Sequence, residues 1–368
     1  MKLQFGIIGL GQSGKTTIFN ALCSADASVG DYSSSKGANI GMVKVPDERV
    51  DKLAVMYSAP KRVYAEIEFI DIAGMAPSSQ GKQDIVDKLK EGSYIHQIRM
   101  AQALLIVVRC FEDENVPHPR SSINPKRDIC DIESELMLVD LVQIEKRIEN
   151  ITHLIKVKSN DKLKSELTLM EKMKAHLETE KPLRELDFNK DERQFLGSFR
   201  FLSEKPVLYL LNLGEDQISK GVELEKQYMP ETEKNKAIAS LCGKIEMEIS
   251  ALDESDRDEF LNEMGIGKPA LAKVLKKSYD LLGIISFLTA AENESRAWPI
   301  PRGFTAWQAA GEIHTDIQRG FIKAETIYYK ELLKAGDLNT AKKAGKLRLE
   351  GKDYIIKDGD VILYRFNV

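Results

Sequence analysis

Gly9-Leu10-Gly11-Gln12-Ser13-Gly14-Lys15-Thr16 fits the pattern GxxxxGK[ST] and decides how the rest of the chain is read. The apolar run Leu3–Ile8 before it suits a buried strand, and Thr17–Leu22 after it is compatible with a helix. A glycine-rich turn between strand and helix lets the backbone curl, so that successive N–H groups converge on phosphate oxygens. The helix N-terminus adds the positive end of its dipole. In this frame Gly9, Gly11, Gln12, Ser13, Gly14, Lys15, Thr16 and Thr17 are the candidate phosphate-binding residues. The Lys15 ammonium reaches the β- and γ-phosphates, a catalytic as well as a binding role, and the Thr16 hydroxyl is a candidate Mg²⁺ ligand.

Moving outward, Asp71-Ile72-Ala73-Gly74 closes the apolar run Ala65–Ile70. An aspartate there can hold Mg²⁺, and the Gly74 N–H can sense the γ-phosphate. Met75 follows, where Ras-like enzymes carry the glutamine that orients the attacking water. A thioether cannot do that, so hydrolysis is slow or its residue lies elsewhere. A third element, Asn212-Leu213-Gly214-Glu215, follows the run Val207–Leu211 where guanine-specific enzymes read NKxD. Here Lys is missing and Glu215 stands one methylene longer than Asp, which breaks the guanine signature. Asn212, Leu213 and Glu215, with Cys242 after the run Ala237–Leu241, are the candidate base-pocket residues. His118 lies in the loop after Leu104–Val108, near where phosphates should sit, and is a candidate catalytic group.

The apolar runs Leu3–Ile8, Ala65–Ile70, Leu104–Val108, Val207–Leu211 and Ala237–Leu241 lack in/out alternation, as parallel strands buried on both faces do. Their alternation with helical segments predicts an α/β fold, a doubly wound and mostly parallel sheet. Within it, Met137, Leu141, Ile144, Ile148, Ile151 and Ile155 form a 4-3-4-3-4 stripe. After a polar break at Ser159-Asn160-Asp161, a second stripe runs through Leu163, Leu167, Met170 and Leu177. This predicts an inserted antiparallel helical hairpin over 128–186. From about Gly283 the pattern changes. Ile284–Thr289, Ile322–Ile327, Leu347–Leu349, Tyr354–Ile356 and Val361–Phe366 read as short strands, with a helix over Trp307–His314. The expected organisation is thus 1–127 with 187–282 as the nucleotide domain, 128–186 as hairpin, and 283–368 as a small mixed domain.

The chain has 368 residues, 43% of them hydrophobic and 30% charged, and a net charge of -4. That gives no global attraction to nucleic acid or membrane, so any RNA contact must come from a local patch. Its 4 cysteines show no CxxC pair, which argues for a reducing compartment. The start carries no cleavage-type segment, and runs such as Ala103–Val108 are too short to span a bilayer. The expectation is a cytoplasmic protein without membrane or DNA partners.

The three motifs in this order, with NxxE in place of NKxD, resemble the YchF family of Obg-related P-loop NTPases. So do Val45-Pro46-Asp47-Glu48-Arg49, Val108-Arg109-Cys110-Phe111, Lys205-Pro206-Val207-Leu208-Tyr209 and Arg296-Ala297-Trp298. Further matches are Gln308–Asp316, Gly320-Phe321-Ile322 and Gly351-Lys352-Asp353-Tyr354. The resemblance covers nearly the whole chain and makes 283–368 look like a TGS domain, a ubiquitin-like β-grasp module. It implies a preference for ATP over GTP, tied to Asn212, Leu213 and Glu215, and association with ribosomes. It also implies a hydrophobic residue, here Met75, in place of the Ras glutamine, and a catalytic role for His118. Counting back from Val45, the first-switch threonine that binds Mg²⁺ falls on Ser35.

The reading is a slow Mg²⁺-dependent NTPase, ATP over GTP, acting as a conformational switch in translation, with a ribosome or rRNA partner reached through the TGS domain and the hairpin. The alternative is a nucleotide-gated ribosome or RNA adaptor with little hydrolysis. A small-molecule kinase is disfavoured, because no lid is evident.

Overall fold

In the computed structural model, residues 2–24, 33–35, 38–71, 92–157, 160–229, 234–263 and 269–367 are described. The strands are β1 (Gln4–Ile8), β2 (Ser33–Ser35), β3 (Ala38–Val45), β4 (Lys61–Val63), β5 (Ala65–Asp71), β6 (Ala103–Arg109) and β7 (Val207–Asn212). They continue with β8 (Lys236–Leu241), β9 (Ile284–Ala290), β10 (Glu294–Pro301), β11 (Phe321–Tyr328), β12 (Arg348–Glu350) and β13 (Asp360–Phe366). The chain divides into two compact units. One comprises Gln4–Met42 and Glu68–Lys277, the other Met1–Leu3, Val43–Ile67 and Ser278–Val368.

The larger unit is built on a sheet of order β2-β3-β5-β1-β6-β7-β8. β5, β1, β6, β7 and β8 run parallel, with Ile7 in register with Asp71 and Arg109 with Asn212. β6 and β7 are buried along their whole length, which is why their runs are continuously apolar. β3 carries no such signal, because its residues alternate in burial and Gly41 interrupts it. A Cβ at Gly41 would lie 2.1 Å from Cys23 Sγ, so the glycine admits the first helix (Lys15–Ser24) against this strand.

The hairpin stripes form a core of their own. Met137, Ile144 and Ile151 on the helix Pro125–Val157 meet Leu169, Met170, Met173 and Leu177 on Asp161–Leu177. The second helix begins at the expected polar break, where the Asn160 side chain accepts from Leu163 N at 2.8 Å. The expected boundary at 128 cuts a continuous helix, however. Ile129, Ile132 and Leu136 pack with Leu104, Ile106 and Tyr209 of the sheet, so the first turns of the hairpin belong to the nucleotide-binding core.

The smaller unit has the sheet order β12-β11-β13-β9-β10-β4. β9 and β10 form an antiparallel pair, β13 lies parallel to β9, and the helix Ala306–Ile313 packs on the sheet through Ala306, Ala309 and Ala310. This is the β-grasp arrangement. Two expectations need correction. Tyr354–Ile356 forms no strand, only an isolated bridge between Ile355 and Thr305. Residues 43–67, expected in the nucleotide domain, belong to this unit: β4 pairs in parallel with β10, and Val50 and Leu53 of the helix Glu48–Tyr57 pack with Leu288, Ala297, Ile327 and Val361. Arg49 fastens this helix, meeting Asp47 at 2.7 Å and Asp358 at 2.8 Å. Most of the helix's apolar partners lie far downstream in sequence, which adjacency along the chain cannot reveal.

Candidate functional site

The carboxyl ends of the parallel strands carry the predicted motifs, the edge where open α/β sheets bind ligands. After β1 the backbone takes the left-handed region at Gln12 (φ 60°) and Gly14 (φ 91°). Such alternation of hand curls a chain into an anion-binding nest. At Gly14 the glycine is required twice over: φ is positive, and a Cβ would sit 2.2 Å from Asn212 Nδ2. Gly9 is required by close approach, because a Cβ there would meet the Val107 carbonyl oxygen at 2.5 Å. A Cβ at Gly11 would meet nothing within 4 Å. The helix then starts directly, with Ile18 N donating to Gly14 O at 2.9 Å.

Lys15 Nζ donates to the carbonyl oxygens of Gly9 (3.0 Å) and Leu10 (2.7 Å), so its ammonium lies folded over the loop that would hold the phosphates. Ser13 is buried, and its hydroxyl finds no hydrogen-bond partner among the described residues, leaving an orphaned polar atom within the cradle. The Thr16 hydroxyl donates to Asp71 Oδ2 at 3.4 Å. Asp71 is 1% exposed, and burial raises its pKa against the opposing pull of Lys15 and the Thr16 hydrogen bond. A hydroxyl and a buried carboxylate side by side form the oxygen pair that Mg²⁺ uses beside substrate phosphates, and a dication would favour the ionised carboxylate. Two protein oxygens fit a metal whose remaining positions are completed by phosphate and water. The backbone of Ser35 lies in β2, but its side chain, like Gly74 and Met75, lies outside what the structure describes.

Asn212 ties the two halves of the site together. Its Nδ2 donates to Ser13 O at 3.0 Å, and its Oδ1 accepts from Gly243 N at 3.0 Å. Around this bridge opens a cavity of about 770 Å³, lined by Gln12, Gly14 and Thr17 from the loop and by Asn212, Leu213, Glu215 and Cys242 from the expected base pocket. Among the other walls are Phe111, quoted above only as part of a family match, and Lys244 and Met247, which sequence reasoning did not single out. Phe111 is set by Arg109, whose guanidinium lies 4.4 Å from the ring centroid and whose Nε donates to Phe111 O at 3.1 Å. Glu215 is held by Lys244 at 2.7 Å, an ion pair that a local motif could not foretell. Cys242 lines the cavity with its thiol pKa raised by burial, which keeps it protonated and unreactive.

His118 is the exception. It is absent from the cavity lining, its side chain is 5% exposed, and both ring nitrogens are engaged. Nδ1 accepts from Arg120 N at 3.1 Å, which leaves the proton on Nε2 to be donated to Asp128 Oδ2 at 3.0 Å. In this arrangement neither nitrogen is available to a water.

Residues 4–146 match the family MMR_HSR1, "50S ribosome-binding GTPase". Residues 284–367 match YchF-GTPase_C, "Protein of unknown function (DUF933)". The chain is 38% identical over 374 residues to the Ribosome-binding ATPase YchF of Bacillus subtilis, covering 100% of each. It is 37% identical over 370 residues to the protein of that name from Escherichia coli O157:H7, again over 100% of each. Among solved structures, the Schizosaccharomyces pombe YchF GTPase superposes with a TM-score of 0.86 at 28% identity, over 99% of this chain and 98% of that one. A GTP-binding protein from Pyrococcus horikoshii (TM-score 0.58, 16% identity, 99% of this chain and 100% of that one) shares the fold alone. Identity at this level across the full length, with both domain families present, makes this chain a member of the YchF family of P-loop NTPases.

Proposed function

We propose that the protein binds a nucleoside triphosphate with Mg²⁺, prefers ATP to GTP, hydrolyses it slowly, and acts in the cytoplasm as a nucleotide-controlled switch on the ribosome. The observation that carries this reading is the bridge at Asn212, which joins a phosphate loop to a cavity roomy enough for a nucleoside and lined by Glu215. Thr16 and Asp71 would hold Mg²⁺, which offsets phosphate charge when bound. Lys15 exchanges the Gly9 and Leu10 carbonyls for phosphate oxygens, a stronger charge-assisted contact. Glu215, one methylene longer than the aspartate of NKxD and drawn toward Lys244, is placed differently from a bidentate acceptor for guanine, which favours ATP. Ribosome binding rests on the relatives' name, with the β-grasp unit and the helical hairpin as the contact surfaces.

Slow turnover follows if His118 is the group that orients water, because it must first give up its hydrogen bond to Asp128. That same contact favours the second reading, an adaptor that binds nucleotide and hardly hydrolyses it. Calorimetric titration of ATP and GTP with Mg²⁺, followed by single-turnover hydrolysis with and without ribosomes, tests both. Tighter ATP binding with ribosome-stimulated hydrolysis supports the switch. Tighter GTP binding overturns the base assignment, and ATP binding without turnover in either condition favours the adaptor.

A further inference from the structure

A second cavity, of about 310 Å³, lies at the opposite end of the parallel strands in the larger unit. Gln102, Pro206 and Asn235, each near the start of β6, β7 or β8, line it. Its volume is at the small end of ligand pockets. Four cationic side chains reach it, Arg184, Arg193, Arg200 and Lys205. Arg184 is the innermost, with a side chain 0% exposed. Its Nη1 grips both oxygens of Glu133 at 2.7 and 2.8 Å, and its Nε donates to Lys205 O at 2.8 Å. Its Nη2 is buried and has no acceptor among the described residues. A buried guanidinium nitrogen without an acceptor is costly, and a side-chain shift that brought it to a ligand oxygen in the cavity would remove the deficit.

The charge around that nitrogen favours an anion. Glu133 pairs with Arg184, and Glu204 and the buried Asp140 both act on Lys205, whose ammonium is held by the Arg99 and Ala101 carbonyls; the exposed Arg193 and Arg200 carry the remaining positive charge. Arg193 and Arg200 are exposed at the rim, while Phe188, Leu186 and Phe201 supply apolar wall.

We propose that this cavity is a second ligand site, distinct from the nucleotide pocket, and that it takes the phosphate group of a small monoester with an apolar or aromatic body. Guanidinium forks match phosphate oxygens, and a cavity of this size, with Arg193 and Arg200 exposed at its rim, admits a terminal phosphate, whereas an internal phosphate of a nucleic-acid backbone carries substituents on two sides. The site is independent of the reading given for the P-loop, and its test keeps the two apart.

Inorganic phosphate and phenyl phosphate are titrated against full-length Lys15→Ala, in which phosphate binding at the P-loop is removed, and against the same chain with Arg193→Ala and Arg200→Ala. Both arginines are exposed, so the fold is not at stake, and melting curves verify this. Saturable binding in Lys15→Ala, tighter for phenyl phosphate and weakened about tenfold by the arginine changes, is the expected result. No binding in Lys15→Ala, or binding indifferent to both arginines, overturns the proposal. Displacement of the phosphate by an RNA oligonucleotide without terminal phosphates overturns the assignment to a small monoester and makes the site a backbone contact.

Discussion

Replacing Asn212 by alanine tests the link on which the nucleotide site depends. The side chain is 4% exposed and makes two hydrogen bonds of 3.0 Å, one to the P-loop at Ser13 and one from the β8 turn at Gly243. Its removal leaves a buried carbonyl and a buried N–H without partners, at about 1–3 kcal/mol each. Water entering from the adjoining cavity offsets part of this, so a net loss of about 3 kcal/mol is expected. In a unit of this size 1 kcal/mol moves Tm by about 2–4 °C, which gives a drop of about 6–12 °C by scanning calorimetry of the nucleotide-free protein. Triphosphate affinity should fall as well, because the loop around Gly14 loses the group packed against it. Glu215→Ala is the control. It removes a half-exposed side chain from the same cavity and should leave stability within about 0.5 kcal/mol. If Asn212→Ala melts within about 1 °C of the unmodified protein and binds nucleotide equally well, the bridge is incidental and the reasoning fails.

Three further outcomes are expected. The raised pKa of Asp71 means that folding favours its protonated form, a contribution fully present below the unfolded pKa and lost as pH rises through the folded one. Nucleotide-free Asp71→Asn should therefore melt above the unmodified protein at neutral pH, with the gap closing toward about pH 4, and Mg²⁺ should no longer strengthen its ATP binding; a gap that widens on acidification refutes the sign. Glu215→Asp draws the carboxylate back from Lys244 toward the length used for guanine, and calorimetry should show GTP gaining about tenfold on ATP; an unchanged ratio removes Glu215 from base selection. His118→Ala should cut single-turnover ATP hydrolysis about 10²-fold with ATP affinity unaltered, and equal rates would leave His118 as a structural partner of Asp128 alone.

The strands that were legible in the sequence are those buried on both faces, where continuous apolar runs leave no alternative. β10 was illegible for a definable reason. Pro299 and Pro301 argue against a strand, yet β4 pairs only with residues 294–296, so both prolines lie where β10 has a free edge and no ladder donor is missed. The place of the helix Glu48–Tyr57 in the smaller unit was not legible, because Leu288, Ala297, Ile327 and Val361, against which it packs, follow more than two hundred residues later.

The sequence by itself determined the phosphate cradle, since GxxxxGK[ST] between a strand and a helix is a local geometry that nearby residues impose. It likewise determined the positions of the buried strands along the chain and the two stripes of the hairpin, all features of short range. Only the tertiary structure decided that Asn212 spans Ser13 and Gly243, that Lys244 holds Glu215, and that Asp128 holds His118. The side chains in those contacts are brought together by parallel pairing of distant strands and by loop closure. Hydrogen bonding and charge then act over about 3 Å, a distance on which separation along the chain carries no information.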